Sequence, residues 1–224
     1  LMRAYHARPD KGYRSLAEHI AHTMPQVAMD RQRGGWYDVV ERLLGEGEET
    51  YRYVWHDRKA WWQQEQAILA YLILHGSLGN PEYLKYARES SAFYNAWFLD
   101  NDSGAVYFNT LANGLPYLLG NERLKGSHSM GAYHSTELAY LAMTYTNLLI
   151  TKQPMTLHFC PQPGGFKDNL LRVAPDLLPP GSIAIGEAWI DGKPYSNFDA
   201  AGLTVTLPDS ASPVKVKVKI VPAR

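Results

Sequence analysis

The most strongly helical segment of the chain is KAWWQQEQAILAYLILH, residues 59–75. Its apolar side chains recur at three-, four- and seven-residue spacings, which place them along one face of a helix. They are Trp61, Ile68, Leu69, Leu72 and Ile73. Asn80 and Pro81 follow, and an Asn cap with Pro in the first turn is a typical helix start. The sequence therefore predicts a helix over Lys59–His75 and a second helix from Pro81, which together form an αα-hairpin.

A repeat with an offset of 70 residues surrounds this hairpin. YRSLA at residues 13–17 corresponds to YLKYA at residues 83–87, and GGWY at residues 34–37 corresponds to GAVY at residues 104–107. In each copy an acidic, glycine-containing turn separates the helix from the aromatic segment. Repeated helical pairs bury their apolar faces by stacking on one another. We therefore expect a mainly α fold built from αα-hairpins; the alternative is a chance similarity between aromatic helices.

The composition changes near Gln153. Of the 15 Tyr, 14 precede this residue, whereas 10 of the 14 Pro follow it. Residues 214–220, VKVKVKI, alternate strictly between apolar and charged, as a strand does when one face is buried. Asp191 and Gly192 form a dipeptide typical of hairpin turns. The sequence predicts two domains, a helical one over residues 1–152 and a small antiparallel β domain over residues 153–224.

The charge balance argues against several classes of partner. Lys and Arg together number 22, as do Asp and Glu, so the formal net charge is zero. A neutral protein has no overall positive field to attract nucleic acid or an anionic membrane, and we expect neither partner. No apolar run reaches about 18 residues, and no secretory signal follows Leu1, so we expect a cytoplasmic protein. No metal and no cofactor is expected, since the pair His19 and His22 fits an exposed helix face better than a metal site.

His134 is the strongest candidate for acid–base chemistry. It lies in KGSHSMGAYHSTE, residues 125–137, directly before an apolar helical segment that ends at Ile150. A helix N-terminus favours the neutral form of an imidazole, which is the form that accepts a proton. The alternative is a histidine that only caps the helix. The same segment contains a second histidine, His128.

Aromatic residues accompany these histidines and suggest a sugar as the ligand. Flat aromatic rings stack on the apolar face of a sugar, while amides and carboxylates bind its hydroxyl groups. The aromatic candidates are Trp36, Tyr37, Trp61 and Tyr133, and the polar candidates are Gln63 and Glu65. Trp62, by contrast, is expected in the core of the repeat.

Six short segments, taken in order, resemble the N-acylglucosamine 2-epimerase family, which includes cellobiose 2-epimerases and aldose–ketose isomerases. The segments are GGWY at 34–37, KAWWQQE at 59–65, NPEYL at 80–84, GAVY at 104–107, KG at 125–126 and GAYH at 131–134. Their order and spacing match over residues 1–150, whereas residues 153–224 lie outside the pattern and resemble an added β module.

This resemblance implies a partial (α/α)6 toroid with its site in the central cavity. It also implies a sugar 2-epimerase or isomerase acting on a reducing sugar of the N-acylglucosamine type. In that chemistry the sugar ring opens, one histidine removes the proton from C2, and a second returns it on the other face. His134 matches a catalytic histidine of the family. Trp61, Gln63 and Glu65 match the helix that lines the cavity.

Two departures from the family pattern bear on this implied function. The family usually has Arg three residues after the histidine, where this chain has Glu137. The other catalytic histidine belongs to a helix that would precede Leu1. We therefore expect apolar helix faces to need a partner, either the N-terminal half of a precursor or a second copy of the chain. A different class of function also fits: a non-catalytic carbohydrate-binding or scaffold protein that retains the helical repeat.

Overall fold

The computed structural model describes residues 1–117, 119, 125, 130 and 133–223. The α-helices are α1 (Met2–Ala7), α2 (Lys11–Val27), α3 (Trp61–Leu78), α4 (Pro81–Trp97) and α5 (Tyr133–Tyr145), and α5 continues as a π-helical turn over Thr146–Ile150. The strands are β1 (Lys59–Ala60), β2 (Asn109–Thr110), β3 (Met155–Phe159), β4 (Leu170–Arg172), β5 (Ile183–Ile190), β6 (Lys193–Tyr195), β7 (Phe198–Asp199), β8 (Thr204–Thr206) and β9 (Val216–Pro222).

The chain forms two compact units. The first, which we call the helical unit, comprises Leu1 and Asp10–Ala142, and the second, the β unit, comprises Met2–Pro9 and Met143–Arg224. The predicted domain boundary at residues 152 and 153 falls later, at the end of the helical segment. That domain boundary stays a prediction.

The predicted αα-hairpin, α3 followed by α4, is the centre of the helical unit. Gly79 ends α3 in a left-handed conformation, φ 72°, and its N–H donates to the carbonyl of His75 at 2.8 Å. The side chain of Asn80 then caps α4 by accepting from the N–H of Glu82. Because only two residues join the helices, α3 and α4 pack as sequence neighbours.

Tyr71 joins α2 and the first aromatic segment to this hairpin. Its ring stacks on Trp36 with centroids 5.6 Å apart, and its hydroxyl donates to the carbonyl of Ala21 on α2 at 2.9 Å. Tyr83 and Tyr86 of α4 also pack on this ring, with centroids 6.0 and 5.2 Å away. Burial raises the pKa of the Tyr71 hydroxyl well above its usual range. Trp36, Tyr71 and Tyr83 are buried and therefore form part of the core of the helical unit.

The two acidic turns of the repeat share one backbone geometry. In the first turn the N–H of Gly34 donates to the backbone carbonyl of Asp30 at 2.8 Å. In the second turn the N–H of Gly104 donates to the backbone carbonyl of Asp100 at 2.8 Å. Each aspartate side chain accepts from the N–H groups two and three residues later. Lys59 then donates to Asp30, as Lys125 does to Asp100. This match shows that the sequence repeat is also a structural repeat.

The β unit contains two antiparallel sheets, with strand orders β3-β9-β5-β6 and β4-β8-β7. In β9, Val216, Val218 and Ile220 are buried while Lys217 is exposed, which confirms the alternation seen in the sequence. Asp191 and Gly192 both have positive φ, 50° and 80°, at the turn between β5 and β6. That is the conformation favoured in two-residue hairpins.

Helix α1 belongs to the β unit and is joined to the rest of it by a half-buried polar cluster. Arg3 of α1 donates to the carboxylate of Asp176 at 2.8 Å, and the hydroxyl of Tyr145 donates to the same oxygen at 3.0 Å. Burial and the charge of Asp176 raise the pKa of Tyr145.

The expected combination of helices with an antiparallel β module is confirmed, and the toroid stays a proposal.

Candidate functional site

The candidate site lies in the helical unit, where the first two turns of α3 meet the start of α5. The His134 ring is 6.4 Å from the Trp61 ring in an edge-on arrangement and 6.0 Å from the Trp62 ring. Tyr133 contacts the same imidazole edge-on at 4.9 Å. The structure therefore brings together His134, Trp61 and Tyr133, three of the residues predicted from sequence.

The aromatic residues at this point differ in exposure. Trp61 is buried and packs on Phe108 at 4.6 Å, whereas Tyr133 is 68% exposed. Trp62 is 39% exposed, so its assignment to the core was wrong. Trp62 and Gln66 are one helical turn apart on α3 and share a face, which directs both residues toward α5 instead.

Glu65 is fully buried and is hydrogen-bonded to the residue that follows His134. Its Oε1 atom accepts from the hydroxyl of Tyr94 at 2.5 Å and from the hydroxyl of Ser135 at 2.7 Å. Burial, followed by the hydrogen bond to Glu65, raises the pKa of Tyr94 well above its usual range, so the tyrosine remains a donor. Ser135 directly follows His134, and its bond to Glu65 therefore links the histidine's backbone to α3.

Three buried polar atoms in this region lack a hydrogen-bond partner within the described part of the chain. They are Glu65 Oε2, Trp61 Nε1 and Gln63 Oε1. The amide nitrogen of Gln63 is used, because it donates to the carbonyl of Asp38 at 2.7 Å. Buried polar atoms are nearly always paired in folded proteins. The first turns of α3 thus contain two unpaired acceptors and one unpaired donor, which are groups of the kind that bind a hydroxyl.

Gln66 joins the imidazole to a second carboxylate. Its Nε2 atom lies 3.3 Å from Nδ1 of His134 and donates to Oε2 of Glu137 at 3.1 Å. Sequence reasoning identified neither Gln66 nor Ser135 as part of the site. The contacts of Gln66 are with residues 68 and 71 positions further along the chain, and only the helical phase shared with Trp62 could have indicated them.

Two predicted site residues, Trp36 and Tyr37, contact residues of the helical unit that lie outside the group around His134. Trp36 is buried, with its Nε1–H donating to Ser90 at 2.8 Å. Tyr37 packs on Tyr53 with ring centroids 4.3 Å apart. Their role in substrate binding stays a prediction. His128 lies outside the described residues.

The described part of the chain lacks two features, a metal-binding cluster and a membrane-spanning helix. There, no group of three or more His, Cys, Asp or Glu side chains is arranged to hold a metal ion. None of the helices in those same ranges combines the length and apolar character that crossing a membrane requires.

Comparison with known proteins gives a likeness at the level of structure. No model of a known protein family matches the chain, and no curated protein matches it. The solved structure of a D-mannose isomerase matches with a TM-score of 0.54 and 19% identity, over 64% of this chain and 34% of that one. A sugar epimerase from a ruminal bacterium matches with a TM-score of 0.44 and 15% identity, over 58% and 31% of the two chains. A cellobiose 2-epimerase from Bacillus thermoamylovorans matches with a TM-score of 0.38 and 16% identity, over 48% and 27%.

The first of these matches shows a shared fold. It confirms, as a likeness of fold alone, the resemblance to sugar isomerases seen in the sequence. The chain spans about a third of the length of the D-mannose isomerase that it matches.

Proposed function

We propose that this chain carries part of the active site of a sugar isomerase or epimerase that acts on a reducing sugar. The observation that supports this most strongly is the arrangement of His134 beside Trp61 and the buried carboxylate of Glu65. It lies on a fold shared with a D-mannose isomerase. An N-acylglucosamine-type sugar is the substrate class that the sequence resemblance favours.

The proposed reaction is a proton transfer at C2 of the opened sugar. The C1 carbonyl acidifies the C2–H bond, so a base can take that proton while the bonding electrons form a C1=C2 double bond and O1 becomes an enediolate oxygen. We assign the proton transfer to His134. Return of a proton to C1, with transfer of the O2 hydrogen to O1, gives the ketose with its carbonyl at C2. Return of a proton to the other face of C2 re-forms the C1 carbonyl and gives the epimer.

Glu65 and Trp61 have binding roles in this proposal. The unpaired Oε2 atom of Glu65 accepts a hydroxyl hydrogen of the sugar, and Trp61 Nε1–H donates to a sugar oxygen. Tyr133, which is exposed next to the imidazole, packs against the sugar ring. Each contact would satisfy a polar atom or cover an apolar ring.

Epimerisation needs a second acid–base group on the opposite face of C2, whereas isomerisation proceeds with one. We propose that a second copy of the chain supplies the remaining groups. The exposed residues Tyr13, Leu16, Ile20 and Met24 support such an association, because they recur at three- and four-residue spacings along α2. Sedimentation at micromolar concentration should show association, and a monomer at all concentrations would contradict it.

The function is tested by incubating the purified chain with D-mannose, N-acetylglucosamine and cellobiose and separating the products. We expect conversion of at least one sugar to its ketose or 2-epimer. His134→Asn should lower the rate by at least about 100-fold. The control is His19→Asn, an exposed histidine on α2, which should leave the rate unchanged.

The same assay distinguishes the second class of function. A protein that binds one of these sugars in calorimetry but converts none of them is a carbohydrate-binding protein, and the enzymatic proposal is then wrong. The departure that favours this second class is Glu137, because a carboxylate stands where the family usually has a cation.

A further inference from the structure

Glu137, Gln66 and His134 form a short hydrogen-bonded chain in which the middle residue is a neutral amide. Gln66 Nε2 lies 3.1 Å from Glu137 Oε2 and 3.3 Å from His134 Nδ1. We propose that Glu137, acting through Gln66, determines which nitrogen of the His134 ring carries the proton. The catalytic consequence rests on the proposed function, but the assignment of the proton does not.

The donors and acceptors of Glu137, Gln66 and His134 determine the direction of the two hydrogen bonds between them. An amide nitrogen has two hydrogens and no acceptor site, whereas an ionised carboxylate only accepts. With Gln66 donating one hydrogen to Glu137 and the other to His134, the Nδ1 atom of the imidazole must be the acceptor. A neutral imidazole with an accepting Nδ1 carries its single proton on Nε2.

The opposite arrangement is the one that a base at Nε2 requires. It has the proton on Nδ1, so Gln66 must turn its amide by half a rotation and present Oε1 to the ring. The same oxygen would then face Glu137 Oε2, and two acceptors at about 3 Å repel each other. An ionised Glu137 therefore holds His134 in the tautomer whose Nε2 donates rather than accepts.

Glu137 is in this account a positioning residue that lowers the fraction of His134 able to act as a base. The base-competent form becomes available when Glu137 is replaced by a residue that donates, because the Gln66 oxygen then has a partner on each side. The departure of this chain at residue 137 therefore has a specific effect: its carboxylate disfavours the tautomer of His134 that can abstract a proton.

The tautomer is measured directly by long-range proton–nitrogen correlation of the imidazole rings at about pH 9, where histidine is neutral. The pattern of cross-peaks separates Nε2–H from Nδ1–H rings, and the variant His134→Asn identifies the signals of His134. We expect the wild-type ring to be Nε2–H. A wild-type ring with its proton on Nδ1 would overturn the proposal.

Two substitutions make the test specific, because free histidine also prefers Nε2–H. Glu137→Arg offers only donors, so it should turn Gln66 and move the majority of His134 to Nδ1–H. Glu137→Gln can donate or accept, so it should give a mixture of the two tautomers. Glu89→Gln, on the exposed side of α4, is the matched control and should change nothing. If Glu137→Arg and Glu137→Gln both leave the ring as Nε2–H, Glu137 does not control the tautomer.

Activity gives a second readout that depends on the proposed function. When the base-competent fraction rises from a few per cent to about half, the rate constant of C2 proton transfer in Glu137→Gln should rise about tenfold. A tautomer shift without any turnover in wild type or variant would preserve the assignment of the proton and contradict the enzymatic function. Turnover that Glu137→Gln does not raise, despite a tautomer shift, would overturn the role of Glu137 in catalysis.

Discussion

The two acidic turns of the helical unit have the same hydrogen bonds and opposite environments. In the first turn the Lys59 side chain is 0% exposed and that of its partner Asp30 3%, with Nζ 2.9 Å from the carboxylate. In the second turn the corresponding values for Lys125 and Asp100 are 28% and 14%, at 2.5 Å. The same backbone geometry thus contains one buried ion pair and one that water reaches.

Burial changes what the ion pair does to its members. Burial alone raises the pKa of Asp30, but the hydrogen bond and charge of Lys59 outweigh that effect and the pKa lies below its usual value. Burial lowers the pKa of Lys59, and Asp30 opposes the change. Each charge of the first pair therefore depends on its partner, whereas water solvates those of the second pair.

The location of the first pair makes this difference relevant to the site. Lys59 lies two residues before Trp61, and its ammonium also donates to the carbonyl of Gly34 at 2.6 Å and lies over the ring of Phe93 at 4.1 Å. These contacts fix the point at which α3 begins. The buried pair thus positions the helix that presents Trp61, Glu65 and Gln66.

The largest difference in stability between the two turns should appear when the lysine ammonium of each is removed. Lys59→Met keeps the length of the side chain but leaves the Asp30 carboxylate buried without its cation, so we expect a loss of about 3–5 kcal/mol in the free energy of unfolding. Urea unfolding followed by tryptophan fluorescence measures this, since all but one of the tryptophans lie in the helical unit. Lys125→Met should shift the midpoint only slightly, because exposed pairs contribute little. Equal effects of the two substitutions would show that burial is not what distinguishes the pairs.

The second-largest effect on stability should come from replacing Gly35, a glycine of the first turn, by alanine. Gly35 has φ 77°, and a Cβ added there would lie 2.5 Å from Cδ1 of Phe93 and 3.0 Å from Oε1 of Gln64. Gly35→Ala should therefore lower the free energy of unfolding by about 2–4 kcal/mol through overpacking and the cost of a left-handed residue. A loss below about 1 kcal/mol in the same urea experiment would mean that the core yields easily at this point.

The second turn offers the reverse substitution. Ala105 occupies the position of Gly35 and has φ 70°, a strained conformation for a residue with a Cβ. Ala105→Gly should stabilise the helical unit by up to about 1 kcal/mol, since the relief of strain exceeds the extra chain entropy of glycine. A decrease in the urea midpoint would contradict this account of the second turn.

The smallest expected effect concerns acid stability at the second turn. The hydrogen bond from Lys125, with the backbone N–H groups of the turn, lowers the pKa of Asp100 from 3.8 to about 2. Because the folded pKa lies below the unfolded one, this contribution is complete above about pH 4 and is lost as the pH falls to about 2. The difference in stability between wild type and Lys125→Met should therefore disappear over that range. A difference that stayed constant between pH 6 and pH 2 would exclude this linkage.

Much of the helical unit could be predicted because its signals are local. The spacing of apolar residues in α3, the Asn80–Pro81 start of α4 and the glycines of the two turns each depend on neighbours within a few positions. The alternation in β9 is local in the same sense. The partial toroid depends on how hairpins are arranged in space, which these local signals do not determine.

The ion pairs and the chain through Gln66 could not be predicted in this way. Lys59 follows Asp30 by 29 residues and Lys125 follows Asp100 by 25, so no fixed spacing joins them. The sequence identified Glu137 only as a carboxylate at a position where the family usually has Arg. Its effect on His134 depends on an amide 71 residues earlier, which only the packing of α5 against α3 brings within reach.

The central claim, that His134 moves a proton at C2 of a sugar, is tested most directly by solvent exchange. The chain is incubated in D₂O with D-mannose or N-acetylglucosamine, and the C2–H signal is followed by proton NMR. We predict that deuterium enters at C2 with wild-type protein, faster with Glu137→Gln, and not measurably with His134→Asn. Retention of the full C2–H signal with every sugar tested, by a folded protein, would contradict the claim.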